Sequence, residues 1–377
     1  MSSERYSMNP QEVYIHRIAT VVPEKFYTQE FSLTFLLKLM GDTPQKREFL
    51  TKLYKDSAIY KRHTVITDYD KDPSEYQFYP KNPAMLPEPD SEARNEVFIR
   101  EANRLSEAAA TKLLDELPGV DKKRITHLIT VSCTGFSAPG FDLHITKALN
   151  LRPDINRYHL GFMGCYAAFP AMKLARDICL AHPEAKVLVV NTELCTLHFQ
   201  QKFDLEIMVA NSLFADGVSA ALISADIEDS HGHKIVLRDF YSRYLANSED
   251  KMAWSLGQHG FNMRLSVYIP GLLNENIMTV MADLFKQANI QQADIDIWAI
   301  HPGGKAILEK LGKTLNLSPD DLAISYQVLR DYGNMSSTTI MFVLAKILES
   351  ERYGKIFSAA FGPGLTLETG YMEKVAC

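Results

Sequence analysis

Three residues in three separate turns have the types that acyl transfer needs: Cys165, His301 and Asn334. Cys165 follows a glycine-bracketed turn in Gly161-Phe162-Met163-Gly164-Cys165-Tyr166-Ala167-Ala168 and opens a helix expected to run to about Ala181. A helix N-terminus presents unpaired N–H groups and partial positive charge, which favour thiolate over thiol. The glycines let the backbone turn sharply and a substrate come close. His301 ends the run Ile295-Asp296-Ile297-Trp298-Ala299-Ile300, bounded by Pro302-Gly303-Gly304, which reads as a buried strand. A histidine there points out at the carboxyl edge of a sheet, where open α/β folds hold their ligands. Asn334 lies in Asp331-Tyr332-Gly333-Asn334-Met335-Ser336-Ser337, a turn opening an apolar helix from Thr338 to about Leu348. Singly, such a cysteine is most often a small buried hydrophobe and such an asparagine a cap. Together the three supply a nucleophile, a base to hold it ionised and a neutral amide donor for an oxyanion.

These groups need a scaffold, and the chain supplies alternating strands and helices. Tyr14 to Val22 reads as an opening strand, with helices from about Thr28 and Thr43. Asp68 to Pro89 holds five prolines and predicts a long loop placed to cover the site. Ser91 is expected to cap a helix to Leu117, and Ile125 to Val131 returns as a buried strand. Further strands are expected at Lys186 to Leu194, Val218 to Ser224, Ile295 to Ile300 and Ile356 to Ala360. That alternation predicts a mostly parallel sheet with helices on its faces. The Cys165 and Asn334 passages share one form, a strand, a glycine turn, a polar residue and a helix of small residues, which hints at internal duplication. The polar stretch Asp226 to Lys234 is the expected seam between residues 1–230, carrying the cysteine, and residues 231–377, carrying the histidine and asparagine.

Composition narrows the class. Hydrophobic residues make up 46% of 377, enough for a sizeable core, and a net charge of -6 argues against nucleic acid as a partner. No apolar run approaches the ~20 residues of a membrane helix. Met1-Ser2-Ser3-Glu4-Arg5 has no apolar signal region. Five cysteines (Cys133, Cys165, Cys179, Cys195, Cys377) without metal-binding spacing suggest free thiols in a reducing cytoplasm. Gly312-Lys313-Thr314 mimics the end of a phosphate loop but lacks its first glycine and reads as helix.

The motifs resemble those of the type III polyketide synthases, the chalcone-synthase-like branch of the thiolase superfamily, in a bacterial-type member. Gly164-Cys165-Tyr166-Ala167 is similar to the nucleophile motif, and Ser212-Leu213-Phe214-Ala215-Asp216-Gly217 to the segment with the gatekeeper phenylalanine. Ile300-His301-Pro302-Gly303-Gly304 and Tyr332-Gly333-Asn334-Met335-Ser336-Ser337 match the histidine and asparagine motifs, and Phe361-Gly362-Pro363-Gly364-Leu365 the glycine-proline loop. The matches run in order from about Ile15 to Tyr371.

The resemblance implies a five-layer α-β-α-β-α fold from two duplicated halves, assembled as a homodimer. It implies acyl loading from CoA onto Cys165, decarboxylation of malonyl-CoA, iterative condensation and ring closure, with CoA thioesters as substrates and no metal or dissociable cofactor. His301 and Asn334 would hold the enolate oxygen, and Phe214 would exclude water. Thr134, Ala138, Glu193, Cys195, His198, Met263, Ser336, Gly362, Pro363 and Gly364 fall at pocket positions. Met263 stands where a second gatekeeper phenylalanine is usual, and Ala138 where a methionine is. Both argue against a coumaroyl starter. Arg47, Lys52 and Lys55 are the expected contacts for CoA phosphates, though only Lys52 falls on a basic position of the family. The slim Thr134, Ala138 and Cys195 resemble the tunnel lining of bacterial members that take fatty acyl starters and make alkylpyrones or alkylresorcinols. The alternatives are a malonyl-primed synthase making phloroglucinol or tetrahydroxynaphthalene, a ketoacyl-ACP synthase III with one condensation, and a non-catalytic paralogue.

Overall fold

The computed structural model describes residues 11–229, 232–266 and 268–376. The reading of Met1 to Arg5, the division at residues 230 and 231, and Cys377 lie outside the described residues. The chain begins with β1 (Tyr14–Val21), β2 (Phe26–Thr28), α1 (Gln29–Met40), α2 (Pro44–Lys55) and β3 (Lys61–His63). Thr28 and Thr43 are the N-caps of α1 and α2, each accepting the N–H three residues on, from Phe31 and Lys46. There follow α3 (Ser91–Asp115), β4 (His127–Ser132), α4 (Phe141–Ala148) and β5 (Asn156–Gly161). Next come α5 (Ala168–Ala181), β6 (Lys186–Leu194), α6 (Leu205–Leu213) and β7 (Asp216–Ser224). The remainder is β8 (Lys234–Tyr244), β9 (Met252–Gly257), β10 (Gly260–Leu265), α7 (Ile269–Ala288), β11 (Ile297–Ile300), α8 (Lys305–Thr314), α9 (Ala323–Tyr332), α10 (Thr338–Glu349), β12 (Gly354–Gly362) and β13 (Thr366–Val375).

Nine strands form one sheet in the order β11-β12-β13-β8-β1-β7-β6-β4-β5. Its two sides repeat one topology. In the first, β1 and β7, then β7 and β6, pair antiparallel, and β6 pairs parallel with β4. In the second, β8 and β13, then β13 and β12, pair antiparallel, and β12 pairs parallel with β11. The hinted duplication is therefore present in the strand order, and β1 joins β8 through Tyr14–Val236 and Ile15–Ile235. The mostly parallel sheet is corrected to a mixed one. One antiparallel pair comes from a tight return, β12 to β13, where Gly362 pairs with Thr366 across three residues; others, such as β1 with β7, join strands distant in sequence.

The layers follow from which faces are apolar. Helix α10 is buried along nearly its whole length, as expected of a helix covered on every side. It packs with α5 in one core between the two half-sheets, where Ala168, Ala171 and Ala175 let backbones approach. The outer faces are covered by α3 on the first half and α7 on the second. These are the five layers of the thiolase-like fold.

Two expectations need correction. Asp90, not Ser91, caps α3 by accepting the Ala93 N–H at 2.9 Å. The Ser91 hydroxyl instead donates to Gly257 O and accepts the Gly260 N–H at 3.0 Å, tying α3 to the β9–β10 hairpin. The proline-rich loop is organised by buried Asp68, whose carboxylate accepts N–H groups of Gln77, Phe78 and Tyr79. It packs Tyr76, Tyr79 and Met85 into the α3 core, and only its second residue, Tyr69, reaches the catalytic cavity. Among the described residues no helix is long and apolar enough to cross a membrane.

Candidate active site

A cavity of about 390 Å3 is lined by Cys165, His301, Asn334 and Phe214 together. Residues up to 169 positions apart in sequence thus share one wall because α5 and α10 both begin at the same end of the central layer. Cys165 sits in the turn before α5, with Gly164 at φ +81°. A side chain at Gly164 would come within 2.4 Å of Pro363, and one at Gly362 within 3.2 Å of the Cys165 nitrogen. The Phe361-Gly362-Pro363 segment at the end of β12 is therefore wedged against the nucleophile turn. Phe361 also packs edge-on to His301, with ring centroids 5.6 Å apart.

His301 follows β11, its N–H donating to Ala359 O at 2.8 Å. Its side chain is fully buried, yet neither ring nitrogen has a hydrogen-bond partner among the described residues. A buried imidazole with two idle nitrogens in a cavity wall is costly unless a ligand engages it. Asn334 is held more firmly. Its Oδ1 accepts the Ser336 N–H at 2.9 Å and the Thr339 hydroxyl at 3.4 Å, so its Nδ2 must face the other way. Nδ2 donates to Gly303 O at 3.2 Å, on the loop that carries His301.

Burial pushes the Cys165 thiol up to about 12, opposed by hydrogen bonds from Ser336 and Asn334, while the Glu193 carboxylate adds to the rise. Loss of water pushes His301 down to about 3. Each group alone is therefore driven to its neutral form. Passing the proton from Cys165 to His301 leaves the cavity's net charge unchanged, so charge forms there only as a pair.

The other expected pocket residues divide. Thr134, Cys195, His198, Met263, Ser336 and Pro363 line the cavity. His198 is stacked on Phe261 at 3.9 Å, and Phe261 on Trp254 at 4.4 Å, making one aromatic wall. The His198 Nδ1 accepts the Phe261 N–H at 3.3 Å, so its Nε2 carries the proton and donates to Thr134 O at 2.8 Å. Burial lowers it to about 4, so it stays uncharged at neutral pH.

Glu193 lies behind the wall instead of on it. Its carboxylate accepts from the Cys133 N–H and the Thr134 hydroxyl, both at 3.0 Å, and from Ser337 at 2.5 Å. It ties the loop after β4 to the start of α10, and burial raises its pKa. Ala138 is on an exposed loop outside the cavity, because residues 136–140 turn outward from the end of β4. Gly362 and Gly364 contribute backbone shape only; Gly364 has φ +112° and its N–H donates to Met252 O.

Lys52 and Lys55 are exposed on the last turn of α2 and do not line the cavity. Arg47 donates to Leu37 O and Gly41 O, satisfying the end of α1. A groove that sequence reasoning missed adjoins the cavity at Met263 and Ser266 and carries Lys202, Lys251 and Arg264. Also missed were Phe199 and Trp254, and an aromatic patch of Tyr27, Phe31 and Phe35 joined through Tyr69, while Arg62, read with Lys61 as part of the basic cluster for CoA phosphates, lines the cavity. One signal for that patch was available: α1 is apolar around most of its circumference, which predicts contacts on two faces.

Two family models cover the chain, "Chalcone and stilbene synthases, N-terminal domain" over residues 3–227 and the corresponding C-terminal domain over residues 237–376. The chain belongs to the chalcone and stilbene synthase family. A relative, the "Alpha-pyrone synthesis polyketide synthase-like Pks18" of Mycobacterium tuberculosis, is 33% identical over 360 residues, 94% of this chain and 89% of its own. The C-terminal type III polyketide synthase domain of Steely1 from Dictyostelium superposes with a TM-score of 0.87 at 28% identity, covering 97% of this chain and 99% of that one. PKS-I from the brown alga Ectocarpus siliculosus gives 0.88 at 28% identity, covering 97% and 98%. This synthase is accordingly an acyltransferase-type enzyme, a type III polyketide synthase with the thiolase-like fold.

Proposed function

We propose that this synthase loads a long-chain acyl group from CoA onto Cys165, extends it with malonyl-CoA and closes an alkylpyrone or alkylresorcinol ring. The observation that carries this reading is the aromatic cluster of Tyr27, Phe31, Phe35, Tyr69 and Phe199, whose rings touch one another and line the same cavity as Cys165. An aliphatic tail fits such a wall, whereas a polar or charged starter would lose its hydration there. In loading, the Cys165 proton passes to His301, the thiolate displaces the CoA sulfur, and that sulfur leaves with the proton. In extension, malonyl-CoA loses CO2 and the electron pair of the broken bond forms an enolate, whose oxygen receives N–H bonds from His301 and Asn334. The enolate carbon attacks the acyl carbonyl and frees the Cys165 thiolate. Phe214 keeps water away, so that the enolate meets the acyl group before it meets a proton. No metal or dissociable cofactor enters these steps.

Ser32, which lines the same cavity and lies between Phe31 and Phe35 in sequence, offers the test. Ser32→Trp should shorten the longest accepted acyl-CoA while leaving short starters turning over. Each methylene excluded should cost about fourfold in kcat/KM, the equivalent of ~0.8 kcal/mol. The measurement is product chromatography from a C4 to C18 acyl-CoA panel with radiolabelled malonyl-CoA. A wild-type enzyme that ignores long starters and works on malonyl-CoA alone would replace this reading by the malonyl-primed one. A single condensation on an acyl carrier protein would indicate a ketoacyl synthase.

The homodimer is part of the same proposal. Phe136 and Phe162 are 46% and 52% exposed and in edge-to-face contact, and β5 leaves one sheet edge unpaired. Such surface is favourable to cover. Sedimentation should give twice the chain mass, and Phe162→Asp should weaken the association; a monomer at micromolar concentration would contradict it.

A further inference from the structure

We propose that Arg62 is the positioning residue that sets the Phe214 ring against the Asn334 turn; this rests on the water-excluding role given to Phe214 above. Helix α6 ends one residue before Phe214, and the last carbonyls of a helix have no partner within it. Here the carbonyls of Asn211, Ser212 and the following Phe214 are taken up from outside by residues running from the start of α1 to β3. The Tyr54 hydroxyl donates to Asn211 O at 3.2 Å, Gln29 Nε2 to Ser212 O at 2.8 Å, and Arg62 Nη1 to Phe214 O at 2.8 Å. Arg62 Nε donates to Gln29 Oε1 at 3.1 Å, so one planar fork joins two of these contacts. A guanidinium at this end also meets the negative pole of the helix. Neighbouring Lys61 plays no part, lying over the Phe26 ring at 4.5 Å.

The same side chain touches the other half of the site. A side chain at Gly333 would come within 2.8 Å of Arg62 Cγ, and Gly333 takes φ +73° immediately before Asn334. Phe214 and Asn334 are themselves bridged: the Asn334 N–H donates to Leu213 O and the Ala215 N–H to Asn334 O, both at 2.9 Å. Backbone movement at Phe214 therefore moves the oxyanion donor. Arg62 holds both from the cavity wall without belonging to any motif that carries the chemistry.

The test reads coupling: CO2 released from malonyl-CoA per carbon–carbon bond formed, in the full-length enzyme. When water reaches the enolate, its carbon takes a proton and leaves as acetyl-CoA, so the ratio rises. Arg62→Ala should raise it by about tenfold, the scale of one charge-assisted hydrogen bond, with KM for malonyl-CoA within about twofold. Arg62→Lys should recover part of the coupling. In a Phe214→Ala background, adding Arg62→Ala should change the ratio no further, because the ring it positions is gone. A ratio unchanged by Arg62→Ala, or an additional rise in that background, overturns the proposal. If Arg62→Ala does not fold, Gln29→Leu should raise the ratio in the same direction, and no rise overturns it equally. A wild-type enzyme that releases no CO2 from malonyl-CoA would instead sink the function proposed above.

Discussion

Cys165→Ala is expected to abolish acyl loading and product formation outright, although two other thiols line or adjoin the same cavity. Cys133 and Cys195 are buried and pushed well above the usual thiol range, first by loss of water and then by the Glu193 carboxylate. The Cys133 thiol is further held by donating to Glu193 at 3.4 Å, which leaves it a hydrogen-bonding group instead of a nucleophile. Cys165 differs in position, and it is less buried than the other two. It precedes the N-terminus of α5, and two donors, Ser336 and Asn334, address its sulfur. Peptide mass mapping after incubation with an acyl-CoA should find the acyl group on Cys165 alone. Finding it on Cys133 or Cys195 would overturn the assignment.

His301 and Asn334 should carry separable weights. Burial holds the Cys165 thiol well above its ordinary range, so a cavity lacking its proton acceptor offers little thiolate at pH 7. His301→Ala should therefore lose loading by several orders of magnitude, and decarboxylation with it. Asn334→Ala removes one oxyanion donor, which costs about 10^2–10^3 in the chemical step, while loading falls far less. Single-turnover mass spectrometry of the acyl-enzyme, run beside CO2 release, separates the two steps. Equal loading defects in both variants would show that Asn334 acts on the sulfur as strongly as on the enolate.

The chemistry-bearing residues were legible in the sequence because each is announced locally. Gly164 before Cys165, Pro302-Gly303-Gly304 after His301 and Gly333 before Asn334 are turn signals beside apolar periodic segments, and such signals act over a few residues. The helix caps at Thr28 and Thr43 and the strand from Lys186 to Leu194 are local in the same sense. Strand direction was not legible, since the order of strands and helices along a chain does not state which neighbour each strand takes, and β1 pairs with residues some 200 positions away.

The pocket lining was misjudged for the same reason. Ala138 and Cys195 are both small, but the loop after β4 turns one outward and β6 delivers the other inward. Glu193 became a buried hub and not a pocket wall because Cys133, Thr134 and Ser337 converge on it from two elements. Protonation was the last thing only the folded chain decided. Whether Cys165 and His301 are charged depends on how much water the assembled layers remove, and that quantity has no local signature in the sequence.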